Sequence, residues 1–391
     1  MTRQLNPIFS DRPPSIFPTM SALAREHDAI NLGQGFPDED GPAEILQRAA
    51  ETTIEGPNQY PPVEGLPELR EAIVYDQKRF YDLDINAANE TLVTSGATEA
   101  LAAAFLGFLQ PGDDAVLLAP FYECYAPQIE AAGASIKFVS LAPPEWRLSA
   151  GALEAAISTK TKIIVINTPH NPLGKVMGRD ELDIVADAAR RHDLIVVCDE
   201  VYEHLIFDGA PHIPLMTLPE MFDRTIRIGS AGKTFSLTGY RLGHVVGPAP
   251  LIEGVRKAHQ FLAYCSPPSL QKAVALGFRL GDEYYAAFRT DMQAKRDRMA
   301  RGLRAAGFDV LPCEGTYFIT VDINSVGRDD DVDFCREITT KAKVAAVPLS
   351  AFYHPAIADA PRNYARFCFC KKPEILDEAA ARLKNYFSEA R

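Results

Sequence analysis

The chain has 391 residues, which is long for one small domain and suits about two or three domain-sized units. Hydrophobic residues at 47% and charged residues at 24% match a soluble globular chain and exclude extensive disorder. A formal charge of −12 argues against nucleic acid as a partner, yet permits a small anion in a local basic pocket.

The first ten residues are mixed polar and do not read as a secretory signal. No stretch approaches the roughly 20 apolar residues that would span a bilayer, so no membrane partner is expected. The 7 cysteines are scattered without CxxC pairs, and Cys368 and Cys370 alternate along one apparent strand. They read as reduced, packed thiols rather than a disulfide framework or a metal site, which suits a cytoplasmic location.

Residues 1–28 begin Pro-rich and irregular and turn helical over about 15–27. From Thr91 short apolar runs alternate with helical stretches. The pattern predicts a strand over 91–94, a helix over 98–109, a strand over 115–119 and a helix near 125–132. Further strands are expected over 135–139, 162–167 and 194–199, with a helix over 180–192 between the last two. The run Ile163, Ile164, Val165, Ile166 is apolar on both faces, as in a parallel strand covered by two layers. This alternation predicts an α/β sheet flanked by helices. After about Asp282 the pattern changes to a long helix over 283–306, strands over 315–321, 344–347 and 365–370, and an amphipathic helix over 373–389. The expected organisation is an N-terminal arm over 1–44 that joins a smaller domain, a large domain over 45–285, and a smaller α+β domain over 286–391.

In open α/β sheets, ligands gather at the carboxyl ends of the strands. The first predicted strand leads into Ser95, Gly96, Ala97, Thr98 and a helix. Small residues and free N–H groups there suit a phosphate, and equally a plain strand-to-helix turn. The strand over 162–167 leads into Asn167-Thr168-Pro169-His170-Asn171-Pro172. Its two X-Pro bonds enforce an extended turn, whose Asn either aims its amide at a ligand or caps its own backbone. Asp199 follows a buried apolar run, where a carboxylate is costly unless it is paired. Lys233 lies among small and apolar residues, with Arg241 eight positions on. A desolvated lysine has a lowered pKa and becomes a nucleophile for carbonyls.

The segment 230–243 resembles the lysine signature of the class I/II aminotransferases of fold type I, which depend on pyridoxal 5′-phosphate. The segments 31–38, 120–125 and 167–175 resemble the kynurenine/glutamine/methionine branch of that family, and the resemblance runs over almost the whole chain. It implies a large domain with a mostly parallel central sheet plus a smaller α+β domain. It further implies that Lys233 carries the cofactor as a Schiff base and shuttles the substrate proton, while Asp199 pairs with the pyridine nitrogen. Asn171 and Tyr202 would bind the phenolic oxygen. Backbone N–H groups of Gly96, Ala97 and Thr98, with Ser230 and Arg241, would hold the phosphate, joined by Tyr60 from a neighbouring subunit of a homodimer. Tyr122 would stack on the cofactor ring. Arg366, a charge within an otherwise apolar strand, would hold the substrate α-carboxylate with help from backbone near Gly35; Arg362 reads as solvated.

Phe17, Tyr122 and Tyr264 fall where this branch lines its side-chain pocket. That implies an amino donor with a large neutral side chain (methionine, glutamine, an aromatic or kynurenine) and a 2-oxo acid acceptor, in a ping-pong reaction. Phe17 stands where tryptophan is common, and residues 263–266 match the branch poorly. The other readings are a cysteine-S-conjugate or cystathionine β-lyase, an N-succinyldiaminopimelate aminotransferase, and a non-catalytic cofactor-binding regulator.

Overall fold

The computed structural model describes residues 5–10, 12 and 14–389. Residues 1–4, 11 and 13 of the expected N-terminal arm, and 390–391 of the expected C-terminal domain, lie outside the described residues.

A seven-stranded sheet forms the larger body. Thr91–Thr94 stands at one edge, then Gly243–Val246, Thr225–Ser230, Ile195–Asp199, Thr161–Asn167 and Asp114–Ala119, with Ser135–Ser140 at the far edge. Gly243–Val246 pairs antiparallel with both neighbours, and every other pairing is parallel. The carboxyl ends of six strands therefore share one edge of the sheet. Ile163, Ile164, Val165 and Ile166 are all buried there, so the run apolar on both faces is a covered central strand.

The elements expected over 98–109, 125–132, 180–192 and 283–306 are the helices Ala97–Phe108, Tyr125–Ala131, Arg179–Arg191 and Asp282–Ala305. Two strands of this sheet were not foreseen, nor were the short strands Ile30–Asn31 and Asp309–Val310 outside it. Thr225–Ser230 has Arg227 at its centre, a charge that breaks the apolar run and is nonetheless fully buried. Gly243–Val246 is four residues long and contains His244. The strand expected over 344–347 divides. Val344–Ala345 pairs in parallel with Ile30–Asn31, while Val347–Pro348 joins an antiparallel sheet with Tyr364–Cys368, Phe318–Asp322 and Asp309–Val310. The strand expected from 315 begins at Phe318, because Thr316 has a left-handed backbone with φ +65°.

A second core surrounds the four-stranded sheet. It gathers Met20 and Leu32 from the N-terminal part with Met299, Leu303, Phe334, Phe367 and Leu376. Tyr202, Leu205 and Phe207, which follow the strand Ile195–Asp199, also pack into it. The segment after Asp199 thus ties the carboxyl edge of the large sheet to the smaller core. No described helix is long and apolar enough to cross a membrane.

Candidate active site

A cavity of about 380 Å³ opens where the two bodies meet. Phe17, Gly35, Ala97, Thr98, Tyr122 and Asn171 line it, as do Asp199, Tyr202, Ser230, Lys233, Arg241 and Arg366. Those that follow the large sheet converge because its parallel strands end at one edge, and Phe17, Gly35 and Arg366 reach the same cavity from the smaller body.

Asp199 is the last residue of its strand and is almost fully buried. One carboxylate oxygen accepts the Tyr125 hydroxyl at 2.5 Å, and the other accepts the Val201 N–H at 3.4 Å. Burial pushes its pKa up to about 6, against the pull of the Tyr125 bond and the Lys233 charge. Lys233 sits in the short helix Ala231–Thr234 directly after the strand Thr225–Ser230. Burial lowers its amine pKa, which favours the neutral nucleophile. Its Nζ donates to the Tyr317 hydroxyl at 2.9 Å.

Arg366 faces the opposite wall. It is completely buried, yet among the described residues its hydrogen bonds go to an amide oxygen and a carbonyl rather than to a carboxylate. One Nη donates to Asn171 Oδ1 at 2.7 Å, the other to the Gly33 carbonyl at 2.7 Å, and Nε lacks a partner. Its guanidinium carbon lies 3.8 Å from the centre of the Phe318 ring, 4.9 Å from Phe352 and 5.2 Å from Phe17. Burial lowers its pKa to about 10, so it stays cationic at neutral pH. Asn171 is fixed from behind: its N–H donates to Asn167 Oδ1 at 2.8 Å, and the Asn167 amide donates to the Asp199 carbonyl at 2.8 Å.

The residues present fit a phosphate-bearing aldehyde. The helix Ala97–Phe108 starts without a side-chain cap, so its first N–H groups face the cavity end of the strand Thr91–Thr94. Beside them Arg241 makes only one long bond, to the Thr238 carbonyl at 3.4 Å. A Cβ on Gly96 would come within 2.7 Å of the Arg241 guanidinium, so the close approach of cation and helix start requires glycine there. An anion-binding corner, a desolvated amine and a buried acid therefore share one cavity.

Tyr60 and Tyr264 do not reach it. Tyr60 is 84% exposed and meets Tyr264 edge-on, ring centres 5.6 Å apart, on the surface. The expected placement of Tyr264 in the side-chain pocket is therefore not seen within a single chain. Its left-handed backbone, φ +68°, follows the helix end at Leu262 and turns the ring outward to Tyr60. Arg362 is exposed and paired with Asp330, as its loop position suggested. Sequence reasoning missed Phe36, Phe318 and Tyr125 of the lining, and Tyr317 behind Lys233. Tyr125 closes the segment 120–125, whereas Tyr317 carries no local signal and lies 84 positions from Lys233.

The model of the family "Aminotransferase class I and II" matches residues 27–383, and the chain belongs to that family. It is accordingly a pyridoxal-phosphate-dependent aminotransferase of fold type I. Among its relatives is a protein of Mycobacterium tuberculosis described as a probable N-succinyldiaminopimelate aminotransferase. The two are 46% identical over 94% of this chain and 95% of the relative. The methionine aminotransferase of Escherichia coli is 40% identical over 95% of both chains. The solved structure of N-succinyldiaminopimelate aminotransferase from Mycobacterium tuberculosis superposes with a TM-score of 0.95. It is 44% identical, over 98% of this chain and 100% of that one.

Proposed function

We propose that this aminotransferase takes its amino group from an amino acid with a large neutral side chain, such as methionine, glutamine or an aromatic residue. It passes the group to a 2-oxo acid in two half-reactions. The carrying observation is the charge inventory of the cavity. Its lining holds three basic side chains: Lys233, Arg241 and Arg366. Two of them serve the cofactor in this reading, which leaves one for the substrate α-carboxylate. Around that one the walls are aromatic, with Phe17, Phe36, Tyr122 and Phe318. A dicarboxylate donor would bury its second charge without a partner, at a cost of several kcal/mol.

Each residue takes a role that its surroundings support. Bound pyridoxal phosphate supplies an electron sink for the bond broken at the substrate α-carbon. Asp199, anchored by Tyr125, keeps one face open to a protonated pyridine nitrogen. Asn171 gives its oxygen to Arg366 and so leaves its amide N–H to donate to the phenolic oxygen, together with Tyr202. Gly96, Ala97, Thr98, Ser230 and Arg241 receive the phosphate, and Tyr122 covers the ring. Arg366 and backbone near Gly35 orient the α-carboxylate. With the cofactor bound, Lys233 would accept the substrate α-proton on Nζ and hand it back. The exposed surface around Tyr60, Phe261 and Tyr264 supports a homodimer in which Tyr60 enters the partner's site. Seven free thiols support a reducing, cytoplasmic setting.

The 46% identical relative favours a second donor, N-succinyldiaminopimelate. A panel of half-reactions on the cofactor-loaded protein separates the two, followed by loss of the cofactor aldehyde absorbance. Methionine, glutamine and phenylalanine are expected to bleach it and aspartate to leave it. A rate with N-succinyldiaminopimelate far above the rest would transfer the assignment to that donor. No bleaching by any amino acid would overturn the transaminase reading itself.

A further inference from the structure

Tyr317 is absent from the lining of the cavity, although Lys233 belongs to it. It stands behind the lysine and is 1% exposed. Lys233 Nζ donates to its hydroxyl at 2.9 Å, and that hydroxyl donates to the Gly35 carbonyl at 2.9 Å. The direction of this chain is set by valence. A phenol has one proton, and once it is given to a carbonyl only lone pairs remain for the lysine, so the amine must be the donor. A neutral amine has two N–H bonds and one lone pair. Spending one N–H on Tyr317 directs that bond away from the cavity and leaves the lone pair and the other N–H available to it.

The ring itself is held firmly. Tyr202 meets it edge-on at 5.1 Å between centres and Phe318 at 4.8 Å. Gly35 is packed so closely that a Cβ there would lie 2.9 Å from the Tyr317 ring and 2.5 Å from Phe318. Burial raises the Tyr317 pKa, with the Tyr202 hydroxyl adding to the effect, so the phenol keeps its proton.

We propose that Tyr317 is a positioning residue that holds the free Lys233 amine with its lone pair available to the cavity, through a bond chain anchored on the Gly35 carbonyl. The orientation matters whenever the amine is not bonded to the cofactor: when it first captures the aldehyde, and when it takes the substrate α-proton. Gly35 belongs to the substrate wall, so the chain also fixes the distance between the lysine and the place where the substrate carboxylate sits. The inference rests on Lys233 being the cofactor-bearing amine.

The test is the rate at which cofactor-free protein captures pyridoxal 5′-phosphate, read by stopped-flow absorbance. Pyridoxine 5′-phosphate, which has no aldehyde, serves as the control ligand. Tyr317→Phe is expected to slow capture about tenfold, the size of one lost orienting hydrogen bond, while pyridoxine phosphate binds as before. The primary isotope effect with α-deuterated methionine is expected to grow, because proton transfer becomes slower. Capture within twofold of the wild type would overturn the inference. So would parallel losses of capture and of pyridoxine phosphate affinity, since both would then report a damaged cavity. Should Tyr317→Phe fail to fold, Tyr317→Met fills the space without an oxygen and repeats the measurement. Lys233→Ala separates the two layers: a variant that still captured the aldehyde at the wild-type rate would remove the underlying lysine assignment, whatever Tyr317 did.

Discussion

Asp199 and Glu200 are neighbours in sequence, and the turn after the strand sends them to opposite environments. Asp199 faces the cavity with a neutral phenol as its partner. Glu200 faces away into a closed network: Arg227 Nε donates to it at 2.7 Å and His212 lies against it at 2.7 Å. Arg227 also binds Glu203 and Gln77, and its guanidinium carbon lies 4.8 Å from the Tyr81 ring centre. Burial disfavours both ionised glutamates, yet the Arg227 charge outweighs it and holds their pKa values below the usual range. Asp199 has no cation bonded to it, the pull of Lys233 is smaller than the cost of burial, and burial wins. The two buried arginines divide in the same way, Arg227 with two carboxylates and Arg366 with carbonyl oxygens and aromatic faces. Charges in the network are paired with opposite charges by the fold, although one Glu200 oxygen lacks a hydrogen-bond partner among the described residues. Charges in the cavity are held in place but left without countercharge, as a site that must receive a charged ligand requires.

This contrast can be broken by experiment. The largest effect is expected from Arg227→Met, which strands Glu200 and Glu203. Stability should fall by about 3–5 kcal/mol in denaturant unfolding, while the folded fraction keeps its turnover. A loss under 1 kcal/mol would mean that the network is not what satisfies those acids.

Asp199→Asn should do the reverse. Turnover is expected to drop about 10²–10³-fold, the scale seen when one preorganised electrostatic group is removed, with stability at pH 7 unchanged or higher. A destabilised variant would place Asp199 among the structural acids.

The two sets of acids should also respond oppositely to pH in the cofactor-free protein. The folded pKa of Asp199, about 6, lies above its ordinary 3.8. Its contribution is therefore complete below about 3.8 and is lost as pH rises through 6, some 2–3 kcal/mol in all. Glu200 and Glu203 are lowered, so their contribution is complete above the ordinary value of 4.5 and fades as pH falls. Unfolding wild type and Asp199→Asn side by side from pH 4 to 7 isolates the first effect. A flat difference between the two would contradict it.

Arg366→Ala should raise KM for the amino acid about 30-fold, roughly 2 kcal/mol for a charge-assisted contact, with no stability loss beyond that of packing. The smallest effect is expected from Tyr125→Phe. Removing its bond of 2.5 Å to Asp199 should lower turnover severalfold, about 1 kcal/mol, and move the acid's pKa further upward. An unchanged pH profile would show that Tyr125 only packs.

Much of the site was legible in the sequence because its parts sit at fixed offsets from strand ends. Gly96 and Asn171 follow a predicted strand by a few residues and Asp199 ends one, so locating those strands locates them, whereas Lys233 was found by its small and apolar neighbours and by Arg241 eight positions on. The strand of Arg227 was invisible for the same reason that the arginine is unusual. A charge in the middle of a strand reads as exposed until the partners that bury it are known, and Gln77 lies 150 positions away. The outward turn of Tyr264 toward Tyr60 was not legible, because its neighbours in sequence belong to a helix end and only the left-handed backbone there sets the direction of its ring.

The sequence by itself determined the α/β framework, the family and the chemical kind of each group along the carboxyl edge. The framework follows from periodicity, which acts over a few residues, and the family from the resemblance of the motifs at 31–38, 120–125, 167–175 and 230–243. The tertiary structure alone decided which charges are paired and which are left open, and which hydroxyls stand behind the lysine and the acid. Tyr317 and Tyr125 find their partners across 84 and 74 positions, and such contacts are fixed by the packing of the two cores rather than by any local preference of the chain.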